Sequence, residues 1–129
     1  MRTELEYVET FLWDKQLGIP GSVPQSISTK ALIDRHHLLT EELSEYLQAG
    51  DSGNLVKILD ALVDLQYLLL GTVVLHGMQG IFPEAFRRVH IANMNKLPGT
   101  NSKRILLSTD VIKPPEWTPA KLEDLVNDN

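Results

Sequence analysis

Apolar residues recur every three or four positions through the first hundred residues of this chain, which is the spacing of helices with one face turned inward. Leu5, Val8, Phe11 and Leu12 predict a first helix of about four turns, ending near Gly18. "GIPGSVPQS" (Gly18–Ser26), with two Pro and two Gly, predicts a loop. A long second helix follows in "SISTKALIDRHHLLTEELSEYLQAG". Ser26 or Ser28 is its expected N-cap, Leu32, His36, Leu39, Leu43 and Leu47 its apolar stripe, and Gly50 its stop. "DSGN" is a short turn, and a third helix is expected from about Leu55 to His76. Gly77 and Gly80 mark a break, and a fourth helix is expected from about Pro83 to Lys96, with Pro83 suited to a first turn. Beyond it, "LPGTNSKRILLSTDVIKPPEWTP" mixes Pro and Gly with two β-like pieces, Arg104–Leu107 and Val111–Lys113. That predicts a flap or small hairpin, then a short helix at about Pro119–Val126.

One part of this pattern needs more than periodicity. "LDALVDLQYLLLG" (Leu59–Gly71) has the composition of a protein interior, yet it carries Asp60 and Asp64 one helical turn apart. An ionised carboxylate in apolar surroundings is expensive unless a partner or a metal compensates it. The stretch is therefore either a helix with one wet stripe or half of a binding site. Lys57, Asp60, Asp64 and Gln66 also interrupt Leu55–Leu75 as a membrane span, because each central charge costs roughly 2.5–3.5 kcal/mol on insertion. The expectation is a core helix of a soluble protein.

Composition narrows the classes. The chain has 129 residues, enough for one domain, 43% of them hydrophobic and 22% charged. Its net charge of −5 disfavours a nucleic-acid polymer as partner but not a small phosphorylated ligand held by local cations and a metal. With no cysteine, disulfides, thiolate metal sites and Cys nucleophiles are excluded. The N-terminal "MRTELEYVETFLW" lacks the apolar run of a signal peptide, so a cytoplasmic location is expected.

Two expected helices carry acidic clusters. Glu41, Glu42 and Glu45 in "EELSEY" fall at relative angles of about 0°, 100° and 40°, a single patch. Asp60 and Asp64 lie about 40° apart on the third helix, with Lys57 and Tyr67 on the same stripe. A short connection makes the two helices an antiparallel αα-hairpin, bringing four or five carboxylates face to face. Hard divalent cations with oxygen ligands relieve such repulsion, so Mg²⁺ or Mn²⁺ suits this set, while Zn²⁺ prefers His or Cys.

"EELSEY", "DALVDLQYLLLGT", "VHIANMNK" and "KPPEW" together, in order and spacing, resemble the all-α nucleoside triphosphate pyrophosphohydrolases, the MazG-like and dimeric dUTPase-like superfamily, and in size a phage-type member. The likeness covers roughly Phe11 to Leu125. It implies an all-α, four-helix MazG-like core (about residues 3–97) with a C-terminal flap or hairpin (98–129) in a single domain. It also implies hydrolysis of a (deoxy)nucleoside triphosphate to monophosphate and pyrophosphate, with Mg²⁺ or Mn²⁺ as cofactor, in a homodimer or homotetramer. By position, Glu42, Glu45 and Asp64 become metal ligands, and Glu41 a further ligand or the residue that orients the attacking water. Asn93 and Lys96 fall where the family contacts the nucleotide and its phosphates. Many members carry a glutamate where this chain has Ala61; Asp60, one residue earlier, is the expected replacement ligand.

Other residues keep two readings. Lys103, Arg104 and Lys113 either close over the triphosphate or are surface charge. Tyr67 is a candidate site wall. Trp13 and Trp117 either stack on a base or anchor packing, and His90 is a core or interface histidine. His36 and His37 are structural, since no Glu-x-x-His pair makes a di-iron bundle. An apolar Leu69–Val74 segment favours an oligomer. The alternative function is a catalytically silent helical binding module that uses the carboxylates for a structural cation or a protein partner. dGTP- and dUTP-type substrates both stay open.

Overall fold

The computed structural model describes residues 1–17, 21–99, 104 and 106–127. Among these residues, five helices and one two-stranded hairpin make the fold all-α with a small C-terminal β element, as the sequence predicts. The elements are α1 (Glu4–Asp14), α2 (Thr29–Ser52), α3 (Leu55–Leu75), α4 (Phe82–Met94), β1 (Leu97–Gly99), β2 (Asp110–Ile112) and α5 (Glu123–Asn127). The chain divides into two compact units, residues 1–80 and 81–129.

In the first unit, α3 packs against both α1 and α2. Local chemistry sets where each helix begins. Thr3 accepts from the Glu6 N–H at 3.2 Å, Ser28 from the Ala31 N–H at 3.1 Å, and Asn54 from the N–H groups of Val56 and Lys57. Each satisfies donors that a helix start leaves unpaired. Of the two serines offered as caps for α2, Ser28 is the one used. Helix α1 is shorter than predicted, 11 residues, and ends at Asp14. The predicted stop at Gly18 lies outside the described residues.

Helix α2 runs one turn past its predicted end. Gly50 is helical, and Gly53, at φ 70°, ends the helix in the left-handed region that glycine enters most easily. Two residues, Gly53 and Asn54, then separate 24-residue α2 from 21-residue α3. Ser52 reinforces the turn, donating to the Ala49 carbonyl at 2.7 Å and accepting from the Asn54 N–H.

The face that α2 turns inward is not the leucine stripe. Leu32, His36, Leu43 and Leu47 are exposed, with Leu39 half-buried. Covered instead are Ala31, Arg35, Leu39, Glu42 and Ala49, again at helical spacing. Periodicity located an amphipathic helix correctly but assumed that its most apolar side faces the core. Arg35 shows why the polar side turns inward: its Nη2 donates to the Leu68 carbonyl at 2.8 Å and its Nε to Thr72 Oγ1 at 3.1 Å. Gly71 leaves room for it, since a Cβ there would lie 2.8 Å from Arg35 Nη2. On α3 the interior positions are Ala61, Leu70, Gly71, Val73 and Val74. Most of the segment expected to be an uncovered oligomer face is thus buried within the chain, leaving Leu55, Val56, Leu59 and Val63 uncovered instead. By length and composition α3 could cross a membrane, but Lys57, Asp60 and Asp64 lie along it.

The loop before α2 is fastened to the end of α3. The Gln25 N–H donates to the His76 carbonyl at 2.9 Å, and His76 Nδ1 lies 2.8 Å from the Gln25 carbonyl oxygen. Gly77, at φ 67°, sits directly under this loop.

In the second unit, Pro83 occupies the first turn of α4. The hairpin pairs Leu97 with Ile112, Pro98 with Val111 and Gly99 with Asp110, antiparallel. The first strand was expected at Arg104–Leu107 and instead lies upstream. In a two-stranded ribbon both strands are edges, so Pro98 and Gly99, poor strand formers in a wider sheet, are tolerated. Arg88 ties α5 to α4, with Nη1 on Asp124 Oδ1 at 2.6 Å, Nη2 on Oδ2 at 3.0 Å and Nη1 on the Lys121 carbonyl.

Three glycines make the packing testable. Gly77→Ala would place a Cβ 2.1 Å from the Val23 carbonyl oxygen as well as straining φ, and should destabilise by roughly 3 kcal/mol. Gly80→Ala meets nothing within 4 Å and should be near neutral. Gly50→Ala, in open space inside α2, should stabilise by up to ~1 kcal/mol. Urea unfolding of the three variants checks the signs; a neutral Gly77→Ala would refute the loop contact.

Candidate metal centre

Glu42, Glu45 and Asp64 each present a carboxylate oxygen, and the three oxygens lie within 4.8 Å of one another. The register of α2 on α3 is responsible. Arg35 bonds opposite Leu68 and Thr72, Glu42 and Glu45 face Asp64, and Ala49 and Ala61 line one hollow nearer the turn. Falling numbers on α2 against rising numbers on α3 define the antiparallel hairpin. The small side chains of Ala49 and Ala61, both buried, let the helices close near the turn.

Burial decides what the cluster needs. Glu42 Oε2 is buried and has no hydrogen-bond partner among the described residues. Its carboxyl is raised above the ordinary glutamate range, chiefly by burial, then by the close Glu45 carboxylate, and also by Asp64 and Glu41. Two ionised carboxylates have no proton to share, so their approach is stable only when a proton or another cation enters. An orphaned carboxylate oxygen beside two more carboxylates fits a hard divalent cation, and no His or Cys completes a zinc-like set in this cluster.

Other predicted site residues are placed as follows. Asp60 does not join the three-carboxylate group but lines the adjoining hollow, about 250 Å³, with Glu45 and Asp64. Ala61, where many relatives of the resembled superfamily carry glutamate, lines the same hollow. Glu41 is exposed and acts on Glu42 through its charge. Tyr67 faces α1 instead of this hollow: its ring meets Phe11 edge-on, centroids 5.4 Å apart, and it borders an apolar hollow with Tyr7, Val8 and Leu62. An aromatic edge on an aromatic face outcompetes a turn toward the charged side. Trp13 is 72% exposed. In the second unit, Asn93 is exposed at the end of α4, and Lys96 follows it. Arg104 is ion-paired with Asp110 at 3.1 Å, so part of its charge is already neutralised. Lys103 lies outside the described residues.

Sequence reasoning put Lys57 on the stripe of Asp60 and Asp64 without giving it a role and did not single out Gln48 or Ser52, yet all three line the carboxylate hollow. The signal was present for Lys57, which stands three residues before Asp60 on the same helix.

The family described as phosphoribosyl-ATP pyrophosphohydrolase matches residues 8–93, which span all of this cluster. The chain belongs to that family. The phosphoribosyl-ATP pyrophosphohydrolases are all-helical enzymes related to the MazG-like superfamily, and they hydrolyse a pyrophosphate linkage of a nucleotide. Theirs is a family of soluble enzymes, and in this chain Ala61, Leu70, Gly71, Val73 and Val74 of α3 are buried. The match ends at Asn93, leaving the hairpin and α5 beyond it. No curated protein matches the chain.

The raised Glu42 carboxyl carries a signed consequence. A carboxyl more basic when folded than when unfolded makes the folded state bind more protons, so stability falls as pH rises from the ordinary glutamate range through the raised value. In EDTA, Glu42→Gln should therefore melt above the parent protein, and by more at pH 8 than at pH 5. Mg²⁺ or Mn²⁺ should raise the parent's Tm and leave that of Glu42→Gln almost unchanged. Thermal melts at both pH values check this, and a gap independent of pH would show Glu42 uncoupled from its neighbours.

Proposed function

We propose that the protein is a divalent-cation-dependent pyrophosphohydrolase that breaks the α–β anhydride of a (deoxy)nucleoside triphosphate, releasing the monophosphate and pyrophosphate. The observation that carries this reading is the convergence of Glu42, Glu45 and Asp64 around the orphaned Glu42 oxygen. Those three residues would hold Mg²⁺ or Mn²⁺, with Asp60 at the edge of the same hollow. When bound, such a cation polarises phosphate oxygens and acidifies a water molecule.

The remaining tasks fall to side chains. Glu41 would orient the attacking water and take its proton on a carboxylate oxygen. Breaking the anhydride moves negative charge onto the bridging oxygen and the departing pyrophosphate. Lys96 and Lys113, with Lys103, would meet that charge with ammonium groups. Asn93 would contact the nucleoside.

A second reading of the substrate comes from the family match. Phosphoribosyl-ATP carries the same triphosphate, and its cleavage also yields pyrophosphate. Both readings share the reaction and differ in the nucleoside half. A dGTP- or dUTP-type substrate would make the protein a nucleotide-pool enzyme, working in the cytoplasm, or the host cytoplasm if the chain is phage-borne.

A homodimer or homotetramer is part of the proposal. Leu32, Leu43 and Leu47 on α2 and Leu55, Val56 and Leu59 on α3 leave an apolar surface that a second copy would cover.

The test is a substrate panel of dNTPs, NTPs and phosphoribosyl-ATP with Mg²⁺ or Mn²⁺, products resolved by chromatography. Monophosphate (or phosphoribosyl-AMP) with pyrophosphate is expected. Glu45→Gln and Asp64→Asn should each lower kcat by at least about 10²-fold with helicity unchanged. Stepwise release of single phosphates would overturn α–β cleavage, and no turnover by cation-loaded protein would favour the silent binding module.

A further inference from the structure

Trp117 carries two lysines. The Lys96 ammonium lies 5.2 Å from the centroid of its ring and the Lys113 ammonium 4.9 Å. The lysines come from different places, one just past the end of α4 and one just past β2. The ring itself is half-buried and pinned, its Nε1–H donating to the Ala92 carbonyl at 2.7 Å. The Trp117 backbone N–H also bonds to the Pro114 carbonyl at 2.9 Å, so the "KPPEW" turn and the last turn of α4 hold the indole from two sides.

Two ammonium groups sharing one ring repel each other. Cation–π attraction offsets part of that repulsion, but an aromatic face carries no net charge to cancel two cations. Neither lysine is ion-paired among the described residues, although exposed Glu116 precedes Trp117 in the sequence. The other cations of this unit are arranged differently. Arg87 and Arg88 are neutralised by Glu84 and Asp124, and Arg104 by Asp110. The cluster is thus a pair of positioned, uncompensated positive charges mounted on a rigid platform. A ligand that completes it must be small, multiply charged and negative.

We infer that Lys96, Trp117 and Lys113 form a two-armed site for a diphosphate group, with Trp117 as the positioning residue that fixes both arms. A single phosphate engages one arm at a time, whereas two linked phosphates offer an oxygen to each. The substrate this implies rests on the hydrolase reading above; the anion site does not, since it needs no cation and no turnover. Two tethered arms also act at high effective concentration on a two-headed ligand, so removing either should cost more for diphosphate than for phosphate.

The probe is inorganic pyrophosphate in EDTA at fixed ionic strength, where the carboxylates have no cation through which to hold an anion. In a Trp13→Phe protein, Trp117 is the only tryptophan, and its emission should change saturably with pyrophosphate and far less with orthophosphate. By calorimetry, Lys113→Met and Lys96→Met should each weaken pyrophosphate binding about tenfold. Trp117→Leu should weaken it similarly with both lysines present, and Trp117→Phe, which restores an aromatic face, should recover much of the loss. Circular dichroism controls for folding, and Lys113→Met, on an exposed side chain, tests the site even if Trp117→Leu fails to fold. Absence of saturable binding, equal response to phosphate and pyrophosphate, or an unchanged affinity in Lys113→Met would overturn the inference. Pyrophosphate binding without nucleotide turnover would uphold it and sink the hydrolase reading. Turnover whose product inhibition by pyrophosphate is indifferent to Lys113→Met and Trp117→Leu would do the reverse.

Discussion

Everything in the first unit depends on α2 lying close against α3 while three carboxylates at their contact repel one another. Several local features hold the two helices together despite that repulsion. Near the turn, the buried small side chains of Ala49 and Ala61 permit close approach. At the far end, Arg35 reaches across to the Leu68 carbonyl and the Thr72 hydroxyl, with Gly71 leaving space for it. The acidic residues sit between these two fastenings. Splitting the hairpin apart would relieve the charge but would strand a part-buried guanidinium and open the apolar contact, so the repulsion stays in place until a cation neutralises it.

That arrangement explains why the inner face of α2 is polar. A purely apolar stripe there would pack well and leave nothing for a cation to bind. The inner stripe, Ala31, Arg35, Leu39, Glu42 and Ala49, alternates packing with chemistry. It places Leu32, Leu43 and Leu47, among the most apolar residues of α2, on the outside. Local stability is given up at the site, as functional sites commonly require.

Much of this was legible in the sequence because it rests on local rules. Ser28 and Asn54 cap helices as their side chains allow, and the spacing of Glu42, Glu45 and Asp64 put them on facing helices. What was not legible depends on long-range choices. Periodicity marked Leu32, Leu43 and Leu47 as a stripe, but it does not tell whether that stripe meets this chain or another one. Gly50 and Gly53 are equally good stops until the capping of α3 selects Gly53. The pairing of Leu97–Gly99 with β2 was hidden by Pro98, which sequence rules count against a strand. Trp117 was read as either a stacking surface or a packing anchor, and no local pattern says that lysines 21 residues before and four before it gather on its ring.

The turn at Gly53 and Asn54 acts as a gauge block. Each helix leaves it at a fixed phase, so the azimuth of Glu45 relative to Asp64 is set by the length of a two-residue connection. One residue added within either helix between the turn and the cluster would rotate its carboxylates by about 100° and disperse them, with every ligand still encoded. Alignments that score only the acidic residues would count such a chain as intact. Inheritance of the chemistry in this fold is therefore carried as much by a spacing as by the side chains that the spacing serves.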